Sequence, residues 1–286
     1  TENDPALNLA FNYLSYLGTD KMTAEEIASE MYDIACSFYM NAGANQSSIQ
    51  ITGLSENMGK AMEIVEGLIA GAKPDEAILE NLKGDMLKSR ADAKLNQSRC
   101  FGALQRYLFY GGDFIRRTTL TDPALQALTS EQLLAKIGGL MGKQHEVLYY
   151  GPQKEAEVKS ALAEHHKVAA DLQPLEKKFS TLLPTDANKV VLAQYDAKQL
   201  YYLQFSNRGE KFDVAADPEI TLYNEYFGGG MNTIVFQEMR EARGLAYTAW
   251  ATLATPSNAN GDYSYYAFIA TQNDKMQKAV EAFDDI

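Results

Sequence analysis

Apolar side chains recur at helical spacing from Pro5 to about Tyr16, after Asp4 as an N-cap, and Gly18 closes the run. Thr23-Ala24-Glu25-Glu26 is a capping box that predicts a second helix to about Ala35. The period then changes. Residues 37–41 and 48–52 alternate apolar and polar positions on either side of Gly43, the pattern of two strands joined by a short polar turn. Ser55 opens a long helix ending near Gly71, and helical spacing dominates from Pro74 to about Tyr110. A helix from Ser130, a strand over residues 145–150 broken by Gly151-Pro152, and a helix to about Lys167 follow. Residues 168–188 mix Pro174, Pro184 and charges with few large apolar groups and read as a linker. Beyond them the pattern predicts strands over 189–194 and 200–205, helices over 218–227 and 231–243, strands over 247–254 and 262–270, and a last helix from Asn273.

The order of these elements carries more information than any one of them. Helix, helix, strand, strand, helix occurs twice, once over residues 5–71 and once near the end, and this implies internal duplication. The expected fold class is α+β, with two related units, each a mainly antiparallel sheet with helices packed on one face. The boundaries this gives are a first unit over 1–167, a linker over 168–188 and a second unit over 189–286. The first copy lacks opening strands and the second lacks closing helices, so the chain reads as cut from a longer protein at both ends. Any signal peptide would then lie upstream, and the sequence leaves the compartment open.

Composition adds constraints. With 46% apolar and 22% charged residues, 286 residues suffice for two hydrophobic cores. The net charge of −12 and the lack of a basic patch argue against nucleic acid as a partner, and no apolar run is long enough to span a membrane. The acidic excess sits at the two ends of the chain, in residues 1–50 and 201–286. Cys36 and Cys100 are too few for a disulfide framework or a thiolate zinc cluster and read as small buried hydrophobes, with a bridge between them left open.

Candidate chemistry is sparse. Gly228-Gly229-Gly230 lies between two helices rather than after a strand, and Met231 follows where a phosphate loop would place Lys or Ser/Thr. It therefore reads as a break between helices that permits positive φ. His165 and His166 are adjacent, point about 100° apart on a helix and cannot share a metal as i, i+4 pairs do. They read as surface residues near a helix end, and His145 as the start of a strand with Glu146 on its opposite face. No nucleophile, general base or metal cage can be assembled from these residues.

One segment is far more specific. Residues 223–247 read Tyr-Asn-Glu-Tyr-Phe-Gly-Gly-Gly-Met-Asn-Thr-Ile-Val-Phe-Gln-Glu-Met-Arg-Glu-Ala-Arg-Gly-Leu-Ala-Tyr. This resembles the signature in the C-terminal, non-catalytic half of pitrilysin/insulinase-type (inverzincin) zinc metallopeptidases: a Gly-rich turn, a helix, then Arg-Glu-x-x-Gly-Leu-x-Tyr entering a strand. The family's duplicated α+β units agree with the order above. Its catalytic unit carries H-x-x-E-H shortly before a Gly-Thr pair, with two His as zinc ligands and the Glu activating the bound water. Gly18-Thr19 marks the corresponding place here, and the motif positions hold Leu9, Ala10, Phe11, Asn12 and Tyr13. The third ligand, a downstream Glu, would fall near residues 86–90, where no carboxylate stands.

The resemblance thus implies no catalytic residue, no metal ligand and no cofactor in this chain, with zinc expected in the full-length parent. It implies that the chain alone is inactive, while the parent is a zinc metalloendopeptidase. Substrate binding falls by motif position to Arg240 and Tyr247, which contact the bound peptide in the family. The partners implied are a peptide substrate and a catalytic N-terminal half or homologous subunit. The alternative is an inactive subunit or a structural module of the same fold. An edge strand such as 262–270 offers a further place for an extended peptide to pair.

Overall fold

The computed structural model describes residues 4–43, 46–175 and 181–286. Along the chain run α1 (Leu7–Leu14), α2 (Ala24–Asp33), β1 (Cys36–Ala42), β2 (Ser47–Gly53), α3 (Met58–Gly71), α4 (Glu76–Lys94), α5 (Gln97–Thr118), α6 (Asp122–Gln126), α7 (Ser130–Leu140) and α8 (Glu155–His165). Then come β3 (Gln199–Ser206), α9 (Asp217–Phe227), the short α10 (Ile234–Phe236) continuing as a π-helix over Gln237–Ala242, β4 (Thr248–Ala254), β5 (Ser264–Gln272) and α11 (Met276–Asp284). The fold is α+β. The order α1-α2-β1-β2-α3 is repeated by α9-α10-β4-β5-α11, and in both copies a 3₁₀ turn, Ser55–Asn57 or Asn273–Lys275, leads into the last helix. The chain divides into two compact units, residues 1–92 with 113–180 and residues 93–112 with 181–286. The segment 93–112, which the sequence reading groups with the first unit, thus packs with the second.

In the first unit α1 is the central element. Its sequence is apolar on nearly every side, and Leu7, Leu9, Ala10, Phe11, Tyr13 and Leu14 are all buried. Around it lie Ile27 and Met31 of α2, Ile64, Val65 and Leu68 of α3, and Leu133 and Ile137 of α7. The Tyr13 hydroxyl accepts from Asp75 N–H at 2.6 Å and lies 2.8 Å from Ser130 Oγ, so one polar group joins three distant parts of the chain. The capping box at Thr23 is present: Glu26 N–H donates to Thr23 Oγ1 and Thr23 N–H to Glu26 Oε2. β1 and β2 form an antiparallel hairpin with Phe38 opposite Ile51.

In the second unit the antiparallel sheet has the order β3-β5-β4. β5 is thus paired on both sides, and the edge expected over 262–270 is the centre of the sheet, with no free ladder for a peptide. The two-residue period gives the sheet two different faces. Ala249, Ala251, Ala267 and Ile269 pack with Val235, Met239, Ala279 and Phe283. On the other parity, Tyr201, Phe205, Trp250, Tyr266 and Phe268 form an aromatic layer that receives Phe101 and Phe109 of α5. Helix α5 breaks at Gly111, whose φ of 79° leaves the helical region.

Two predicted strands are absent. Residues 145–150 and 189–194 carry no strand structure, and Leu148, Tyr150, Val190 and Leu192 stand exposed. Their apolar alternation fits a strand, but among the described residues no neighbouring strand supplies ladder partners. The helix predicted from Met231 starts after Thr233, whose hydroxyl donates to Gly230 O. Of the predicted linker, residues 176–180 lie outside the described residues, as do residues 44–45 of the predicted polar turn. The linker's end is fastened: buried Asn207 donates to the Leu182 and Leu183 carbonyls and exchanges backbone and side-chain bonds with Thr185. Both cysteines carry free thiols.

Replacing Tyr13 by Phe keeps the ring but leaves Ser130 Oγ and Asp75 N–H short of a buried partner. It is expected to cost about 1–3 kcal/mol, read as a lower urea midpoint at unchanged slope.

Candidate functional site

The site builds up from the way the Gly-rich segment meets β4. Helix α9 ends at Phe227, and Gly228 lies so close to Ala251 that an added Cβ would stand 2.4 Å from Ala251 O and 2.6 Å from Ala251 N. Ala251 N–H donates to Gly228 O at 3.3 Å. Four residues upstream, Asn224 acts as a short strand mimic: its Nδ2 donates to Leu253 O at 2.9 Å and its Oδ1 accepts from Leu253 N–H at 2.8 Å. None of Gly228, Gly229 and Gly230 has a positive φ. The requirement at Gly228 is steric, a backbone in contact with a backbone, and this corrects the expectation of a positive-φ break.

Beyond Thr233 the chain winds into α10 and then the π-helix, where Arg243 N–H donates to Glu238 O in the i to i−5 pattern. Met239 is fully buried and anchors this turn, and its carbonyl accepts from both Leu245 N–H (2.8 Å) and Ala246 N–H (3.2 Å). Gly244, at φ 58°, makes the reversal into β4 in a conformation that a side chain disfavours. The reversal is held from outside by Lys275 Nζ on Gly244 O at 3.2 Å and by buried Thr271, whose hydroxyl donates to Leu245 O.

This reversal brings Arg240 and Tyr247 together. The guanidinium carbon of Arg240 lies 5.2 Å from the centre of the Tyr247 ring and 5.0 Å from that of Phe236, so the cation is stacked on two aromatic faces. Tyr247 is 67% exposed and the Arg240 side chain 42%, so both are open to a ligand. Arg240 Nε lies 3.6 Å from Glu241 Oε1, and Arg243 pairs with Glu238 at 3.3 Å. With its faces on rings, the guanidinium keeps its N–H fork at the edge, suited to a planar acceptor such as a peptide carbonyl or carboxylate. The residue that sequence reasoning missed is Phe236. Its place one helical turn before Arg240 was visible, but the stacking geometry was not. On β5 of the same sheet, burial pushes the Tyr265 phenol up to about 12, with Tyr223 adding repulsion, so that hydroxyl stays neutral.

The positions that match the zinc motif do not fit a metal. Leu9, Ala10, Phe11 and Tyr13 are core side chains, and Tyr13 is committed to Asp75 and Ser130. Arg90, in the stretch where the third ligand would fall, pairs with Asp122. Among the described residues no group of three or more His, Cys, Asp or Glu side chains is arranged to hold a metal ion, and no helix is long and apolar enough to cross a membrane.

Comparison with known proteins gives a consistent picture. The family described as peptidase M16 inactive domain matches residues 143–286, half of the chain. An uncharacterized zinc protease of Streptomyces coelicolor is 22% identical over 269 residues, covering 87% of this chain and 56% of its own length. One of Rickettsia bellii is 23% identical over 278 residues, covering 93% and 63%. The chain therefore spans less than two thirds of these curated relatives. Among solved structures, a peptidase M16 inactive domain from Pseudomonas fluorescens superposes with a TM-score of 0.74 at 17% identity, over 98% of this chain and 68% of that one. The periplasmic protease PqqL of Escherichia coli gives 0.74 at 13% identity, over 99% and 32%. The ferredoxin protease FusC, solved with Arabidopsis ferredoxin, gives 0.74 at 12%, over 98% and 31%. At these identities the structural likeness is one of fold.

Gly228→Ala is expected to push α9 off β4 and cost about 1–3 kcal/mol, the range for overpacking. The matched control Gly230→Ala, where an added Cβ meets nothing within 4 Å, is expected to change stability little. Thermal unfolding of the two variants side by side checks this.

Proposed function

This chain belongs to the peptidase M16 inactive-domain family, and from that premise we propose that it is the zinc-free half of a pitrilysin-type zinc metallopeptidase. In this reading it encloses and positions a peptide substrate, which a catalytic half outside the chain hydrolyses. Its contribution is orientation: a peptide held in one geometry meets the catalytic groups without the entropic cost of a free encounter.

The observation that carries the reading is the Arg240–Tyr247 stack. These are the two residues the family resemblance assigns to substrate, and they lie against each other on an exposed surface built by a constrained turn. Phe236 and Tyr247 restrict the guanidinium plane, so less side-chain freedom is lost when a peptide carbonyl is bound. The Tyr247 hydroxyl is a second donor at the same place. The ferredoxin bound by the structural neighbour FusC supports a protein or peptide as the ligand class.

The test is steady-state kinetics on the longer, zinc-loaded protein. Arg240→Ala is expected to lower kcat/KM roughly 10- to 100-fold, the loss of one charge-assisted hydrogen bond, with zinc content unchanged. Arg240→Lys is expected to recover little, because an ammonium neither forks nor stacks in the same way. Tyr247→Phe keeps the stacking platform and separates its role from that of the hydroxyl. Peptide turnover by Arg240→Ala equal to that of the parent would sink the substrate role and leave the chain as a structural module of the same fold.

A further inference from the structure

The outer edge of β3 has no partner strand, and the bonding within the sheet defines which groups it leaves open. Ala251 and Leu253 turn their N–H groups away from β5, to Gly228 O and Asn224 Oδ1, so the even-numbered residues of β4 are the ones bonded to β5. Tyr247 N–H on Ala270 O agrees, with an even position of β5 facing β4. The odd positions of β5 therefore face β3, where the register sets them against Leu200, Tyr202, Gln204 and Ser206. The N–H and C=O groups of Tyr201, Leu203 and Phe205 are left on the outside. Among the described residues nothing is bonded to them, whereas Gly228 and Asn224 cover the β4 edge.

The chain just ahead of β3 is fastened at one end of this edge. Thr185 N–H donates to Asn207 O at 3.0 Å, and Asn207 N–H donates to Thr185 Oγ1 at 3.0 Å. These two bonds start an antiparallel ladder. Continued two residues at a time, it sets Ala187 against Phe205, Lys189 against Leu203 and Val191 against Tyr201, the residues whose groups are open. The lengths agree. β3 has 8 residues, about 26 Å at the strand rise. Residues 185–193 match that span, and 194–198 remain as a turn back into Gln199, a usual hairpin length.

The faces agree as well. In this register the odd-numbered residues of the segment join Tyr201 and Phe205 on the side of α5, and the even ones join Leu200 and Tyr202. Lys189 Nζ already lies 5.8 Å from the centre of the Tyr107 ring on α5, and Val191 is half-buried. Val190 and Leu192, now exposed at 83% and 88%, would come to lie beside Tyr202 and Leu200. In this structure residues 187–191 carry no strand pairing, so the segment has its register set and its ladder open.

We infer that residues 187–193 are a strap that closes on the outer edge of β3 as an added antiparallel strand, in the register started by Thr185 and Asn207. Closure satisfies the open backbone groups of Tyr201, Leu203 and Phe205. It also removes an edge that would otherwise pair with any extended chain, a second copy of this protein included.

Hydrogen exchange on the full chain, read residue by residue, tests the strap. The amides of Ala187, Lys189, Val191, Tyr201, Leu203 and Phe205 are expected to exchange roughly 100-fold more slowly than those of Asn188, Val190 and Leu192. The same alternation is expected after dilution. Uniformly fast exchange over 187–192 overturns the inference. Protection that vanishes on dilution overturns it too, because a second copy is then the occupant. Cross-linking checks the register separately, in a background with Cys36→Ala and Cys100→Ala. Asn188→Cys with Gln204→Cys sets two thiols opposite each other on one face and should form an intrachain disulfide at least roughly 10-fold faster than Ala187→Cys with Gln204→Cys, whose side chains point to opposite faces. Equal rates for the two pairs count against the register and overturn the strap. Val191→Pro removes the donor for the Tyr201 carbonyl and should return Tyr201, Leu203 and Phe205 to fast exchange.

Discussion

The contact between Gly228 and Ala251 is the constraint on which the second unit depends. Backbone meets backbone there because no side chain stands between them, and the paired bonds of Asn224 with Leu253 extend the contact along β4. With α9 pinned to β4, the chain must return to the same strand within a fixed length. It does so through a π turn anchored by buried Met239 and a left-handed Gly244. The place of Arg240 against Tyr247 is the outcome of that closure. A tighter or looser turn would rotate Arg240 away from the strand by about 100° per residue.

The first unit has the same order of elements and uses the corresponding first helix differently. Where the family's catalytic unit needs polar metal ligands on that helix, α1 has become the middle of a hydrophobic core, and its one buried polar group is a tyrosine hydroxyl with its partners in place. These uses exclude each other. A helix buried on nearly every side cannot also present imidazoles to water, so the apolar residues of α1 and its central place in the core are one feature seen twice.

Much of this was legible in the sequence, and the exceptions have physical causes. The capping box at Thr23, the hairpin over 36–53 and the run from α9 to α11 follow from local period and local chemistry, and the structure reproduces them. The strands expected at 145–150 and 189–194 fail because alternation is necessary for a strand but pairing makes one. The Arg240–Tyr247 proximity rested on a family signature; the sequence alone could not show that Phe236 closes the other side of the cation. The meeting of His145 with His166, whose Nε2 atoms lie 2.8 Å apart, was invisible, since it is set by where α7 and α8 end rather than by spacing. The attachment of residues 93–112 to the second unit was hidden too, because a helical period states that a face is apolar and not which sheet it covers.

That last attachment bears on how the molecule is made. Helix α5 leaves the ribosome long before the strands whose aromatic rings cover Phe101 and Phe109, since β5 ends at Gln272. At about 5–20 residues per second, translation leaves its apolar face without a partner for on the order of ten seconds or more. Through that interval the second unit has no complete core and the first has a long insertion running through it. Newly made chain is therefore most prone to misassociation in the middle of synthesis, and chaperone dependence should track residues 97–110 more closely than the Gly-rich signature that follows.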